Sequence, residues 1–372
     1  ALLLPHLPVL TDSAGASHEV PGVLSHAVRR ARELVEQLGT PTDIAGVRLV
    51  IEVAVGVVAA GAGSADLVEL IRRAEIAMCH AKQARVGVAT YDSSYDDAST
   101  DHLTLLAELR EALQADDQLV LHLQPAVDLA TGAPTGVEAL SRWRHPRRGM
   151  LPPIEFIRTI EHSELLGPFT RYILDGSLAA ASGWSAAGLD LPVSVNVSAR
   201  SLLDASFPGQ VADALKRYRV PAHQLVLEIT ETVAVSEQEI VDEVLAALRQ
   251  VGVQLSVDDF GTGYSSLTFL TRVPVDELKI DRSFVARMVE SAEAGEIVRS
   301  AIGLAHGLNL RVVAEGVETA DQRAALLALG CVAAQGYHFC KPLPADRIVA
   351  ALQSMAEGAP ARVVPLRADG AS

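Results

Sequence analysis

The sequence predicts an α/β fold, a (β/α)8 TIM-like barrel preceded by a smaller, partial α/β N-terminal domain. Three observations predict it. Beyond residue 103, eight short apolar runs alternate with amphipathic segments over about 250 residues, the size and rhythm of such a barrel. Polar and acidic residues collect where those runs end. A polar stretch from Asp92 to Asp101 interrupts all apolar periodicity and separates this pattern from an earlier one. A doubly wound open sheet shares the same rhythm, because periodicity alone does not show that a sheet closes.

In chain order, the first part predicts a strand at Ala1 to Leu4, a helix over Pro21 to Leu38 and a strand from Arg48 to Val58. A helix from Ala65 to Gln83 and a strand from Gly87 to Tyr91 follow. The expected division is a partial domain over 1–93, a linker over 94–103, the barrel over 104–357 and a mobile tail over 358–372, rich in Ala, Pro and Arg. The barrel strands are expected at Leu119 to Val127, Thr135 to Trp143, Pro192 to Val197 and Gln224 to Ile229. The second half supplies Val253 to Val257, Glu277 to Ile280, Arg311 to Ala314 and Cys331 to Tyr337. Helices are expected between them, among others at Pro168 to Ala187, Ser236 to Val251, Ala286 to His306 and Ala320 to Leu329.

Composition narrows the function. Of 372 residues, 49% are apolar and 21% charged, which excludes a disordered or collagen-like chain. Aromatics at 4% leave little for base-stacking platforms. Thirty-one basic against 46 acidic residues give a net charge of -15, which repels a nucleic-acid polymer; the densest basic run is only Arg142, Arg144, His145, Arg147 and Arg148. Cys79, Cys331 and Cys340 show no CxxC spacing, so neither a disulfide framework nor a structural zinc is expected, and a reducing, cytoplasmic compartment is. The longest uncharged apolar stretch, Val53 to Ala65, is too short to span a membrane, and no membrane contact is expected of this segment. The N-terminus carries no basic leader and no Met, as expected for a piece of a longer protein with room for an anchor upstream.

The chemistry sits at the strand ends, which in a parallel barrel share one functional face. A single carboxylate there is ordinarily a solvated loop residue or a helix cap. Here Glu138, Asn196, Glu228, Asp258, Asp259, Lys279, Glu315, Glu318 and Gln335 arrive from successive strands. Five carboxylates buried together would be pushed toward protonation unless cations balance them. Two divalent metals and a protonated Lys279 neutralise Glu138, Glu228, Asp258, Asp259 and Glu315. That balance fits a two-metal site able to accept a phosphate. Adjacent aspartates on a regular strand face opposite ways, so Asp258 and Asp259 serve one site only where the strand turns, which Gly261 and Gly263 permit. Oxygen-only ligands favour Mg²⁺ or Mn²⁺ over zinc. Lys279, flanked by Leu278 and Ile280, is expected to be buried and to face the site.

These segments form an ordered set. Glu138-Ala139-Leu140-Ser141-Arg142-Trp143, Asn196-Val197-Ser198, Glu228-Ile229-Thr230-Glu231, Asp258-Asp259-Phe260-Gly261-Thr262-Gly263-Tyr264-Ser265-Ser266-Leu267, Leu278-Lys279-Ile280-Asp281, Ala314-Glu315-Gly316-Val317-Glu318 and Gln335-Gly336-Tyr337 resemble the successive motifs of the EAL-domain cyclic di-GMP phosphodiesterases. The resemblance runs from about Leu103 to Met355. It implies a barrel whose first strand is antiparallel, and two-metal hydrolysis of cyclic di-GMP to linear pGpG. It implies Glu138, Asn196, Glu228 and Asp258 as ligands of one metal and Asp258, Asp259 and Glu315 as ligands of the other. Lys279, Glu315 and Glu138 are the implied catalytic residues, Glu231 a loop anchor, and Gln124, Leu140, Arg142, Asp281, Glu318 and Gln335 the implied dinucleotide contacts. It also implies a homodimer through the barrel. The competing class is a silent cyclic di-GMP receptor that signals through a partner; degenerate members lose a ligand or the lysine, and this sequence keeps them.

A second, partial resemblance covers the N-terminus. Ala74-Glu75-Ile76-Ala77-Met78-Cys79-His80-Ala81-Lys82 resembles the late helix of GGDEF diguanylate cyclase domains, with Cys79 where an aromatic is usual. Ala1-Leu2-Leu3-Leu4-Pro5 is similar to the strand after that family's signature loop. The signature is absent from these residues, so the resemblance implies a truncated domain without cyclase activity.

Overall fold

In a computed structural model of the chain, the structure describes residues 21–39, 42–44, 47–49, 53–60, 67–83, 86–92, 104–115, 117–230, 238–261, 270 and 273–358. The expected strand at Ala1 to Leu4, the linker 94–103, Glu231, the loop from Thr262 to Leu267 and the tail beyond Gly358 lie outside them. The chain divides into two compact units, 1–107 and 108–372. The division falls inside the helix 104–112, a few residues past the expected linker, and Leu109 and Ala112 of that helix are buried.

In the first unit, helix α1 (Pro21–Leu38) matches its expected span, and α2 (Leu67–Gln83) starts two residues late. The expected strand from Arg48 to Val58 is instead two short pieces, β2 (Val47–Leu49), which pairs antiparallel with β1 (Thr42–Ile44), and β3 (Val55–Val57), which pairs parallel with β4 (Val88–Thr90). Helix α2 lies directly on β3: a Cβ at Gly56 would stand 2.0 Å from the Ala74 carbonyl oxygen, so only glycine admits the helix there.

The second unit closes into an eight-stranded barrel. Its strands are β5 (Leu119–Asp128), β6 (Pro134–His145), β8 (Val193–Val197), β9 (Leu225–Thr230), β10 (Gln254–Phe260), β11 (Glu277–Ile280), β12 (Arg311–Ala314) and β13 (Ala333–Gln335). Strands β6 to β13 pair parallel around the ring, while β5 pairs antiparallel with both β6 and β13, bearing out the reversed first strand and deciding against an open sheet. Two short strands that periodicity could not register, β7 (Gly149–Leu151) and β14 (Leu343–Pro344), extend β6 and β5 outside the ring.

The apolar runs explain the closure. Leu225, Leu227 and Ile229 alternate with Val226 and Glu228, so one face of β9 packs on helices while the other points into the barrel. Helices α3 (Leu166–Ala186), α4 (Phe207–Tyr218) and α5 (Gln238–Val251) supply that outer layer, through Leu178 and Trp184, Val211 and Leu215, and Leu245 and Leu248, all buried. No helix among the described residues is long and apolar enough to cross a membrane.

Candidate active site

Apart from Glu318, the expected strand-end residues meet at the carboxyl ends of the parallel strands, but two arrive by other local routes. Glu138 sits inside β6, not at its end, because β6 runs on past the ring to pair with β7. At the Asp258-Asp259 pair the strand turns at Asp259 itself, whose φ is +55°, and the register of β10 against β11 shifts between Val257 and Phe260. Gly261 follows at φ +99°. An aspartate tolerates the left-handed region better than most residues, so the acid both makes the bulge and uses it.

Lys279 is the centre of the arrangement. Leu278 and Ile280 pack outward and are fully buried, so the intervening side chain enters the barrel, where it is 2% exposed. Its Nζ lies 2.6 Å from Glu315 Oε1, 2.9 Å from Glu228 Oε1 and 3.4 Å from both Glu138 Oε2 and Asp258 Oδ1. None of these four ion pairs has hydrogen-bond geometry at Nζ, and Asp258 Oδ1 likewise has no hydrogen-bond partner. Burial opposes the lysine's charge, but the four carboxylates outweigh it and hold its pKa well above the ordinary lysine value.

The acids respond differently. Burial also opposes ionisation of Glu138, yet Lys279 and the amides of Gln335 and Asn196 hold its carboxyl below the usual range. Glu228, 1% exposed, is pushed well up by burial and by the neighbouring Glu138. Burial likewise raises Glu315 to about 8, and burial with the adjacent Asp258 raises Asp259 to about 6. The site therefore holds more negative charge than its one lysine can stabilise.

Amides fill the gaps between acids. Asn196 Nδ2 donates to Glu138 Oε1 and Glu228 Oε2, both at 3.0 Å. Gln335 Nε2 donates to Glu138 Oε2 and, at 3.1 Å, to Glu315 Oε1. Gln335 thus ties together two of the expected metal ligands, a role its expected dinucleotide contact did not foresee. Among the described residues, carboxylate oxygens of Asp258, Asp259 and Glu315 lie within 4.8 Å of one another, a group able to hold a cation. The residues fit divalent cations: the donors are oxygens, and two amide N–H groups and an ammonium stand between them where positive charge is wanted.

The remaining expected residues lie farther out. Gln124, buried on β5 opposite Glu138, donates to the Cys340 carbonyl at 3.0 Å. Arg142 lies two residues beyond Leu140 on β6, half-buried, with Nη1 on the Ser141 carbonyl at 2.7 Å. Asp281 caps the short helix 282–285 through the Ser283 amide at 2.9 Å and stands beside Asp259. Glu318 is exposed, and its amide is held by Gln322 Oε1 at 2.8 Å. The sequence reading missed Ser256, Glu277, Arg311 and Thr135, which meet lower in the barrel; the available signal was Glu277, two residues before Lys279 and so on the same strand face.

A closed, TIM-like α/β barrel with a lysine-centred acidic site at its strand ends is the class that fold and site define. The chain belongs to the EAL domain family, whose model matches residues 106–342. It is 37% identical over 328 residues to the bifunctional diguanylate cyclase/cyclic di-GMP phosphodiesterase MucR of Pseudomonas aeruginosa, covering 88% of this chain and 48% of that protein. It is 38% identical over 268 residues to the cyclic di-GMP phosphodiesterase PA2567 of the same organism, covering 72% and 46%. The chain thus spans about half the length of these relatives. Among solved structures, the PaMucR phosphodiesterase in complex with c-di-GMP is 39% identical with a TM-score of 0.63, covering 66% of this chain and 99% of that one.

Proposed function

We propose that the barrel hydrolyses cyclic di-GMP to linear pGpG with two divalent cations, Mg²⁺ or Mn²⁺. The observation that carries this reading is the ring of Glu138, Glu228, Asp258 and Glu315 around buried Lys279, with Asp259 beside it. The relatives' names support it, and so does a similar structure that carries the dinucleotide.

Glu138, Asn196, Glu228 and Asp258 would hold one cation, and Asp258, Asp259 and Glu315 the other. When bound, such cations make a coordinated water acidic and offset charge on phosphoryl oxygens. Lys279 orients the attacking water and stabilises the charge that builds on the phosphorus oxygens. The water oxygen bonds to phosphorus, the bond from phosphorus to the 3′ oxygen breaks, and that oxygen takes up a proton as the ring opens. The proton lost by the water passes to the carboxylate of Glu315, which Gln335 holds beside Glu138, and from there to the departing 3′ oxygen. Gln124, Leu140, Arg142, Asp281 and Glu318 contact the dinucleotide, with Arg142 as a phosphate partner beyond the acids. Glu231 anchors the loop after Asp259.

We also infer that the first unit is a GGDEF-like remnant, supported by an alignment to MucR longer than the barrel unit itself. The barrel is expected to pair as a homodimer, which a solution mass measurement decides. The functional test is incubation with cyclic di-GMP and Mg²⁺ or Mn²⁺, following pGpG, beside Glu138→Ala and Lys279→Ala. Metal-dependent pGpG in the native chain alone is the expected result; tight binding without turnover makes the protein a receptor. Ca²⁺ is expected to inhibit, and Ca²⁺-supported turnover equal to that with Mg²⁺ contradicts the metal assignment.

A further inference from the structure

Below the acidic ring the barrel carries a second charged layer. Side chains two apart on a strand share a face, so Glu277 enters the barrel one step beneath Lys279. Across the ladder it is in register with Arg311 of β12, whose Nη1 lies 3.5 Å from Glu277 Oε2. Ser256 Oγ donates to Glu277 Oε1 at 3.0 Å, and Arg311 Nη2 donates to Thr135 Oγ1 at 2.7 Å. Polar contacts thus cross the barrel from β10 through β11 and β12 to β6. Ser256 and Glu277 are buried, and the Arg311 side chain is 33% exposed.

Between this floor and the ring above lies a cavity of about 20 Å³, lined by Glu138, Glu228, Lys279 and Gln335 and by Glu277 and Arg311. That volume holds one water molecule, and the lining offers it the polar partners an internal water needs. Lys279 Nζ, buried and without a hydrogen bond of good geometry, is such a partner.

Glu277 is a sixth carboxylate in a barrel already loaded with acid. In so poorly solvated a place its attraction to the nearest cation is strong. With Arg311 beside it that cation is the guanidinium, and Lys279 stays with the ring. Without Arg311, Lys279 faces it from one step above on the same strand face.

We propose that Glu277 and Arg311 form a self-neutralised floor that positions Lys279, and that one ordered water joins the floor to the lysine. Both are positioning residues, since neither touches the reacting atoms. The kinetic part of the test rests on the phosphodiesterase reading; the structural part does not.

The experiment compares the native chain with Arg311→Met, Arg311→Lys and the Glu277→Gln/Arg311→Met double variant. It measures kcat and KM for cyclic di-GMP at saturating Mn²⁺, the melting temperature, and high-resolution crystal structures of the native and Arg311→Met chains. Arg311→Met is expected to lower kcat by about ten- to a hundredfold, the cost of a displaced catalytic group, with KM changed by less than about threefold. Arg311→Lys keeps most of kcat, and the double variant recovers it, because the unpaired carboxylate is gone. The native crystal is expected to show one water within hydrogen-bond reach of Lys279 Nζ, and the Arg311→Met crystal to show Nζ drawn toward Glu277. An unchanged kcat in Arg311→Met, or a loss that the double variant fails to recover, overturns the proposal. If the native chain shows no turnover, the phosphodiesterase reading fails and the crystals alone decide: a bound water with a shifted Nζ upholds the floor, whereas a dry cavity or an unmoved lysine overturns it.

Discussion

At its mouth the barrel gathers four carboxylates around one lysine, with Asp259 close by, whereas at its floor one carboxylate meets one guanidinium. Both layers lie inside the same ring of strands, one step apart on β11, where Glu277 is followed two residues on by Lys279. The floor is charge-balanced by its own side chains. The mouth is not: Glu228, Asp259 and Glu315 are all raised, chiefly by burial. A layer that balances itself is structural, and a layer that stays acid-rich when folded is arranged for something positive to enter. The difference separates what the fold needs from what the chemistry needs.

The largest expected effect is at the lysine. Lys279→Ala removes the cation paired with Glu138, Glu228, Asp258 and Glu315, and a drop in kcat of about 10³-fold or more is expected at saturating metal. If steady-state turnover falls by less than about tenfold, the lysine is a counter-ion and not a participant, and mouth and floor become alike.

Next comes the backbone that brings Gln335 to the mouth. Gly336 passes so close to the opposite loop that a Cβ there would lie 2.1 Å from the Val317 carbonyl oxygen and 2.3 Å from its nitrogen. Those two atoms already bond the His338 amide at 2.9 Å and the Gln335 carbonyl at 3.0 Å. Backbone cannot swing aside as a side chain can, so Gly336→Ala is expected to cost about 2–4 kcal/mol in chemical unfolding and to loosen Gln335 from Glu315. A midpoint within experimental scatter of the native chain contradicts the close approach.

Much of this was legible in the sequence, for identifiable reasons. The strands and helices of the barrel were readable because Leu225, Leu227 and Ile229, like Leu278 and Ile280, follow a strict period that packing enforces. The mouth was readable because charged residues interrupt that period where a bland strand would continue. What stayed hidden were contacts set by register. Nothing local says that Glu277 meets Arg311, because they are 34 positions apart and become neighbours only when β11 and β12 pair. Nor does composition reveal that Asp259 takes φ +55° itself, leaving the turn less dependent on the glycines. The short strands β7 and β14 are too brief for any period to register.

The pH dependence sharpens the comparison further. Asp259 at about 6 and Glu315 at about 8 are raised above their ordinary values, so each favours the folded state at low pH and loses that contribution as pH rises through its folded pKa. The metal-free protein is therefore expected to lose thermal stability steadily from about pH 5 to about pH 8. Cations that bind the ionised acids should reverse this, raising the melting temperature more at pH 8 than at pH 6. A melting temperature that is flat across this window, or a metal-induced rise that is larger at pH 6, contradicts a mouth held acid-rich for cations.

The smallest effect expected is at Ser256, and it tests how the floor is built. Ser256 Oγ gives Glu277 Oε1 one hydrogen bond from an uncharged donor at 3.0 Å, while Arg311 gives it an opposite charge. Ser256→Ala removes the bond and leaves the charges, so the loss is about 1.5–3 kcal/mol of stability and kcat stays within about twofold. If instead Ser256→Ala lowers kcat as far as Arg311→Met does, the floor works as one hydrogen-bonded network in which every member fixes the height of Glu277. If it changes neither quantity, Arg311 alone holds that carboxylate, and the contrast between a self-neutralised floor and an acid-rich mouth reduces to a single guanidinium.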